Sequence, residues 1–174
     1  MAKDYLNVIE RALMMGISDG INSLTETGEN IHVFGEFPET EDLKFPAIIV
    51  EHTGSGFEEQ FMGQKVTLGS TSGTGETYGA SYTIHLICEK ETTIQVASGS
   101  FSASDAYYKQ RRLLNWLMLN VANQIMDLNW SVFDEEDTQV LERHLNAWQN
   151  IGFIPDLQWY GASADFMITF TNVR

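Results

Sequence analysis

Cys88 and His85 are the pair most inviting to a catalytic reading, because a thiol beside an imidazole can become a nucleophile. Three residues apart on a strand, they fall on opposite faces, since strand side chains alternate. Cys88 is therefore expected to be a buried core thiol. The Gly-Ser-Gly at 54–56 is too short for the elbow that carries a hydrolase serine. The other histidines, His32, His52 and His144, form neither an H-x-x-x-H nor an H-E-x-x-H pair with any neighbour. Structural or surface roles are expected for all four, with no metal and no cofactor. The glycine-rich GSTSGTGET at 69–77 lacks the Gly-Lys-Ser/Thr that a phosphate loop places at a helix entrance, and a strand follows it. The acidic run 134–137 lacks the alternating ligands and the turn glycine of a calcium loop, and reads as a solvated helix entrance. The one dense basic cluster is Lys109, Arg111 and Arg112, beside Tyr107 and Tyr108. Such a cluster could touch nucleic acid. The acidic balance of the chain favours pairing with acids of a neighbouring subunit or of the surface instead.

That balance is 10 basic against 24 acidic residues, a formal charge of -14. Nucleic-acid phosphates call for the opposite sign. The single cysteine excludes an internal disulfide and fits a reducing compartment. A length of 174 residues, 43% of them hydrophobic, suits one domain with an ordinary core. No apolar run approaches the ~20 residues that span a bilayer. The amphipathic, acid-bearing MAKDYLNVIERALMM is unlike a secretory signal. No membrane association is expected, and the chain should remain in the cytoplasm where it is made.

The elements that would position these groups follow from periodicity. Residues 104–128 contain neither Pro nor Gly, and Tyr107, Leu114, Leu117, Val121, Ile125 and Leu128 recur at helical spacing. This predicts one long helix with Ser104 as N-cap and Asp105 in its first turn. A first helix is expected over residues 4–25. Gly16 and Gly20 would weaken or bend it, or admit close packing on a sheet, and Gly28 would end it. Strands are expected at 31–37, 45–53, 78–90, 130–133 and within 157–173. The acidic 39–42 would be a solvated connection. Residues 54–77 read as a long loop or a hairpin, with two patches, 57–62 and 65–68, able to pair with each other. Residues 91–103 form a second polar excursion. In 138–150, Val140, Leu141, His144, Leu145 and Trp148 sit at helical spacing and predict a short helix, with an extended segment as the alternative. Taken alone, these signals describe an acidic α+β domain with no visible catalytic set.

The order FPAIIVEHT, protruding loop, YGASYTIHLICEK, the YYKQRRLLNWLMLNVANQIMDL helix and a closing ADFMITFTNV resembles the tail-terminator, or tail-completion, proteins of long-tailed bacteriophages. The likeness covers most of the chain. It lies in element order and local phrases rather than in an invariant motif. It implies a mixed, mainly antiparallel β-sheet packed against a long helix and an N-terminal helix, with a protruding loop or hairpin at 54–77. It also implies a non-enzymatic virion protein, assembled in the host cytoplasm. Such a protein forms a homo-oligomer, a hexameric ring, that caps the tail tube protein and joins it to the head connector or stopper. Double-stranded DNA passes through the lumen without specific binding.

Two physical features agree with that expectation. The Gly/Ser/Thr-rich excursions make better sense as arms ordered by neighbours than as parts of a monomer. An acidic lumen would let DNA slide where a basic one would hold it. On the arm, Phe57, Phe61, Met62, Lys65 and Leu68 are expected to make contacts between proteins, as are Lys109, Arg111 and Arg112 on the long helix. The alternatives are another tail component (stopper, tube or baseplate protein) and a small-molecule-binding domain with a concave polar pocket.

Overall fold

Isoleucine and leucine at every fourth position build the first helix. In the computed structural model, which describes residues 5–26, 30–39, 41–68, 71–96, 107–128 and 138–173, α1 (Tyr5–Asn22) buries Ile9, Leu13, Ile17 and Ile21 on a single stripe. It runs unbroken through both of its glycines. A side chain at Gly16 would collide with Leu128, and one at Gly20 with Gln124. The close approach these glycines permit is therefore to the second helix and not to the sheet. Gly28 lies outside the described residues.

Asn22 closes α1 and fixes the chain to the next element. Its Nδ2 donates to the Ser18 and Ile31 carbonyl oxygens at 2.9 and 3.2 Å, and its Oδ1 accepts from the Ile31 amide at 2.8 Å. One side chain thus satisfies both backbone groups of a residue nine positions away. Asn22→Ala strands those groups in a partly buried place. It is expected to lower stability by about 1–2 kcal/mol, read as a shift in the urea midpoint without change of slope. An unchanged midpoint would show that water replaces the clamp at no cost.

Eight strands follow among the described residues: β1 (His32–Phe34), β2 (Ala47–Leu68), β3 (Thr71–Glu89), β4 (Thr93–Gln95), β5 (Tyr107–Lys109), β6 (Thr138–Leu145), β7 (Gln149–Ile154) and β8 (Trp159–Val173). The main sheet has the order β1-β2-β3-β8-β6, with β7 also pairing β8. Only β1 and β2 are parallel; every other pair is antiparallel. The fold is α+β, a mixed and mainly antiparallel sheet against two helices. Both helices lie on one face. Ile48 and Val50 of β2, Tyr82, Ile84, Leu86 and Cys88 of β3, and Phe166, Ile168 and Phe170 of β8 meet α1 and α2 there in one continuous core.

The second helix, α2 (Gln110–Asp127), is shorter than its apolar stripe predicts. It buries Leu113, Leu114, Leu117, Val121 and Ile125 as expected. Its first predicted turn is instead β5, which pairs with β4 as a two-stranded sheet, Ile94 opposite Tyr108. Those cross-strand bonds satisfy backbone groups that a helix would otherwise have used. The N-cap is Lys109, with extended backbone and no side-chain capping bond. Ser104 and Asp105 lie outside the described residues, as do the predicted strand at 130–133 and the acidic run 134–137.

The helix expected at 138–150 is not formed. β6 and β7 occupy that stretch, hydrogen-bonded side by side along β8. A bulge explains the misleading spacing. The register slips between Val140 and Glu142, so Leu141 has no partner and is 52% exposed. Val140 faces the core, and beyond the bulge Leu145 and then Trp148 pack against it too. An extra residue in a two-residue repeat leaves apolar intervals that imitate a helix. The free side of β8 supplies a full ladder, and that tertiary offer outweighs local propensity.

Candidate functional site

The glycine-rich 54–77 stretch takes the hairpin alternative, as a continuation of two strands of the sheet and not as a separate loop. β2 is 22 residues long and β3 is 19, so the two form one ribbon. At ~3.3 Å per residue, β2 reaches roughly 70 Å. The two patches expected to pair with each other both lie on β2. They pair with β3 instead: Phe57 is opposite Tyr78, Lys65 opposite Thr74 and Leu68 opposite Thr71. The patches are separated by a register shift between Gln60 and Lys65, where five steps on β2 match two on β3. Phe61 and Met62 fall inside that irregularity, without Cα partners.

The ribbon outruns its support. β8 accompanies β3 as far as Val173 opposite Gly75. Beyond that pair the described ribbon is two-stranded, with a hydroxyl–hydroxyl bond of 2.7 Å between Thr67 and Ser72 near its end. On the other side, β1 pairs β2 only up to Ile49. From Val50 to Leu68 the outer edge of β2 has no strand beside it among the described residues. A long open edge is a template for another chain, and an isolated two-stranded ribbon is marginal in water.

The basic cluster lies elsewhere, at the start of α2. Arg112 stacks on Tyr108, its guanidinium carbon 4.3 Å from the ring centroid. Arg111 leaves the helix on another side and lines a shallow cavity of about 380 Å³ with Leu114, Asn150, Gly152, Phe153 and Tyr160. The Phe153 and Tyr160 rings meet at 4.9 Å. Sequence reasoning missed Asn150, Phe153 and Tyr160. They became neighbours of Arg111 only because β7 folds back along β8. The ribbon residues and the basic cluster are thus two separate surfaces.

A third surface is the sheet face turned away from the helices. It carries one small cluster, Ala47, Ile49 and Ile87 with Phe34, Leu43, Phe45 and Trp159. Around this cluster, His85 Nε2 lies 3.0 Å from the Glu51 carboxylate, and the Phe37 ring covers His85 at 4.9 Å. Thr83 donates to Asp165 at 2.8 Å. Phe37, Ile151 and Met167 are 52%, 57% and 44% exposed. No helix covers this face among the described residues.

The four histidines do not converge. His32 is in β1, with its pKa lowered by burial and then by Lys44. His52 lies on β2 beside the Tyr82 ring, and His144 is exposed on β6. Among the described residues no three His, Cys, Asp or Glu side chains are placed to hold a metal ion. No helix there is long and apolar enough to cross a membrane.

Cys88 is buried on the helix face of β3, and burial pushes its thiol up from 9.0 to about 12. It stays protonated and unreactive at neutral pH. An unfolded thiol ionises above pH 9 while the folded one does not. The unfolded state then binds fewer protons, so stability is full below pH 9 and falls as pH rises toward 12. Tyr82, raised by burial and then by the charge of Glu10, acts in the same direction. At pH 8 a thiol reagent is expected to label the native chain only as fast as it opens, and at once in denaturing urea. Immediate labelling of the native chain would contradict this burial.

Compared with models of known protein families and with curated proteins, the sequence matches none.

Proposed function

We propose that this chain is a structural subunit of a bacteriophage tail, a terminator whose copies form a homohexameric ring. The ring caps the tail tube, joins it to the head connector or stopper, and lets double-stranded DNA pass through its lumen. The observation that carries this is the β2–β3 ribbon. Among the described residues it projects beyond β8 as two strands, with one edge of β2 unpaired from Val50 onward. Ribbons of this kind gain backbone partners and lose exposed surface when another chain lies beside them. The bare sheet face adds apolar area of the sort that protein contacts bury. The net charge of -14 agrees with a channel that DNA traverses without adhering.

The chemistry needed is assembly, not bond making. Phe57, Phe61, Met62, Lys65 and Leu68 on the ribbon would meet neighbouring subunits or the tube, and Lys109, Arg111 and Arg112 would meet acids of a neighbour. The test is the purified protein examined by mass measurement and electron microscopy, alone and on tails that lack it. Rings of six copies seated at the head-proximal end of the tube are the expected result. A strict monomer that binds no part of the tail would overturn the proposal. Rings found along the tube or at the baseplate would reassign the chain to another tail component.

A further inference from the structure

Two exposed patches of opposite charge lie on this chain, with the sheet between them. The connection from β1 to β2 carries Glu36, Glu39, Glu41 and Asp42, all exposed, beside the half-exposed Phe37 ring. A turn in which the Asp42 amide donates to Glu39 O at 2.9 Å holds its acids together. Because Phe37 rests on His85, this loop belongs to the bare face of the sheet. The cavity of Arg111, Leu114, Phe153 and Tyr160 is on the helix face at the opposite lateral edge, where β7 pairs β8. Among the described residues neither Lys109 nor Arg111 has a carboxylate within ion-pair distance, and none of the four acids has a basic partner.

We infer that the acidic β1–β2 loop of one copy docks into the Arg111–Phe153 groove of the next, with the exposed Lys109, two residues before Arg111, as a second cation. The inference rests on the ring reading and gives that ring its contact. The occupant is a second copy because this chain itself presents the complementary charge and cannot bring the two patches together across its own sheet. The groove offers a cation, an aromatic pair and about 380 Å³. The loop offers carboxylates beside an exposed phenylalanine. Since the two patches are different surfaces, the contact is heterologous, and repeating it head to tail closes a ring when the rotation allows. The charges would steer the encounter and fix the register, with the aromatic contact beneath them.

Charge reversal tests this. The variant K109E/R111E makes both patches acidic, and E39K/E41K/D42K makes both basic. Neither is expected to lower the thermal midpoint, since all five positions are exposed and a glutamate suits a helix entrance better than the cation it replaces. Each variant alone is expected to associate about tenfold more weakly or worse, because like charges now face each other. Mixed in equal amounts, the two are expected to recover wild-type mass by alternating around the ring. Wild-type assembly with both variants unaffected overturns the docking and leaves the ring reading intact. Variants that each dissociate but fail to recover on mixing overturn the pairing of these two patches. A wild-type chain that stays monomeric at high concentration overturns the docking and the ring together.

Discussion

Phe166→Ala is expected to destabilise the protein by about 3–5 kcal/mol, as large-to-small changes at fully buried aromatic sites do. Phe166 has no exposed surface. On β8 it stands opposite Tyr82 of β3 on one side and Leu145 of β6 on the other. β8 is the one strand that joins β3 to both β6 and β7. A cavity at this point therefore loosens the packing of α1 and α2 on the sheet and the seating of the C-terminal strands together. Urea unfolding followed by circular dichroism measures the loss. A control at Met167, the next residue but on the bare face and 44% exposed, should cost well under half as much when changed to alanine. Equal costs at the two positions would show that the core does not lie where the alternation of β8 places it.

The second large effect concerns assembly and spares the fold. Replacing residues 61–75 with Asn-Gly would close the ribbon directly between Gln60 and Glu76, which already face each other. Asn-Gly is the dipeptide that a two-residue antiparallel turn favours. What is lost is the irregular segment and the two-stranded end, with one pairing to β8 at Gly75. The core residues from Ala80 to Cys88 remain. The thermal midpoint is expected to stay within a few degrees of wild type. On the proposed function, attachment to tail tubes should be abolished and ring formation weakened, since the ribbon contacts are lost while the Arg111–Phe153 groove and the acidic β1–β2 loop are untouched. Rings that form and seat on tubes normally with the shortened ribbon would refute the role given to Phe61, Met62, Lys65 and Leu68. A collapse of the midpoint would show instead that the ribbon is part of the folding core.

Much of this architecture was legible in the residues themselves. Ile9, Leu13 and Ile17, and likewise Leu114, Leu117, Val121 and Ile125, declare two helices because their spacing matches one face of a 3.6-residue turn. The continuous Ala-Ile-Ile-Val at 47–50 declares a strand covered on both sides: Ile48 and Val50 lie under the helices, and Ala47 and Ile49 in the small cluster behind. Alternation in β3 and β8 gives the inward faces correctly. The separation of His85 from Cys88 also follows from alternation alone, and the structure places them on opposite faces.

Other features were illegible for a common reason: their cause is a partner distant in sequence. Tyr107–Lys109 leave the helix because β4 is there to pair with them. Residues 138–154 become strands because β8 has a free side, and the bulge at Leu141 disguises them. The Gly/Ser/Thr-rich 54–77 carries no periodic apolar signal, so its continuity with β2 and β3 appears only through the register that β3 imposes. The candidate surfaces divide in the same way. The type and spacing of Lys109, Arg111 and Arg112 marked them as a basic cluster within an acidic chain. That Arg111 opens onto Phe153 and Tyr160, while the acids at 36–42 stand on the far face, was decided by the crossing of the chain through the sheet. Local periodicity reports which side of a residue is buried, because that depends on neighbours three or four positions away. Which surfaces end up adjacent depends on long-range strand pairing, and no local pattern encodes it.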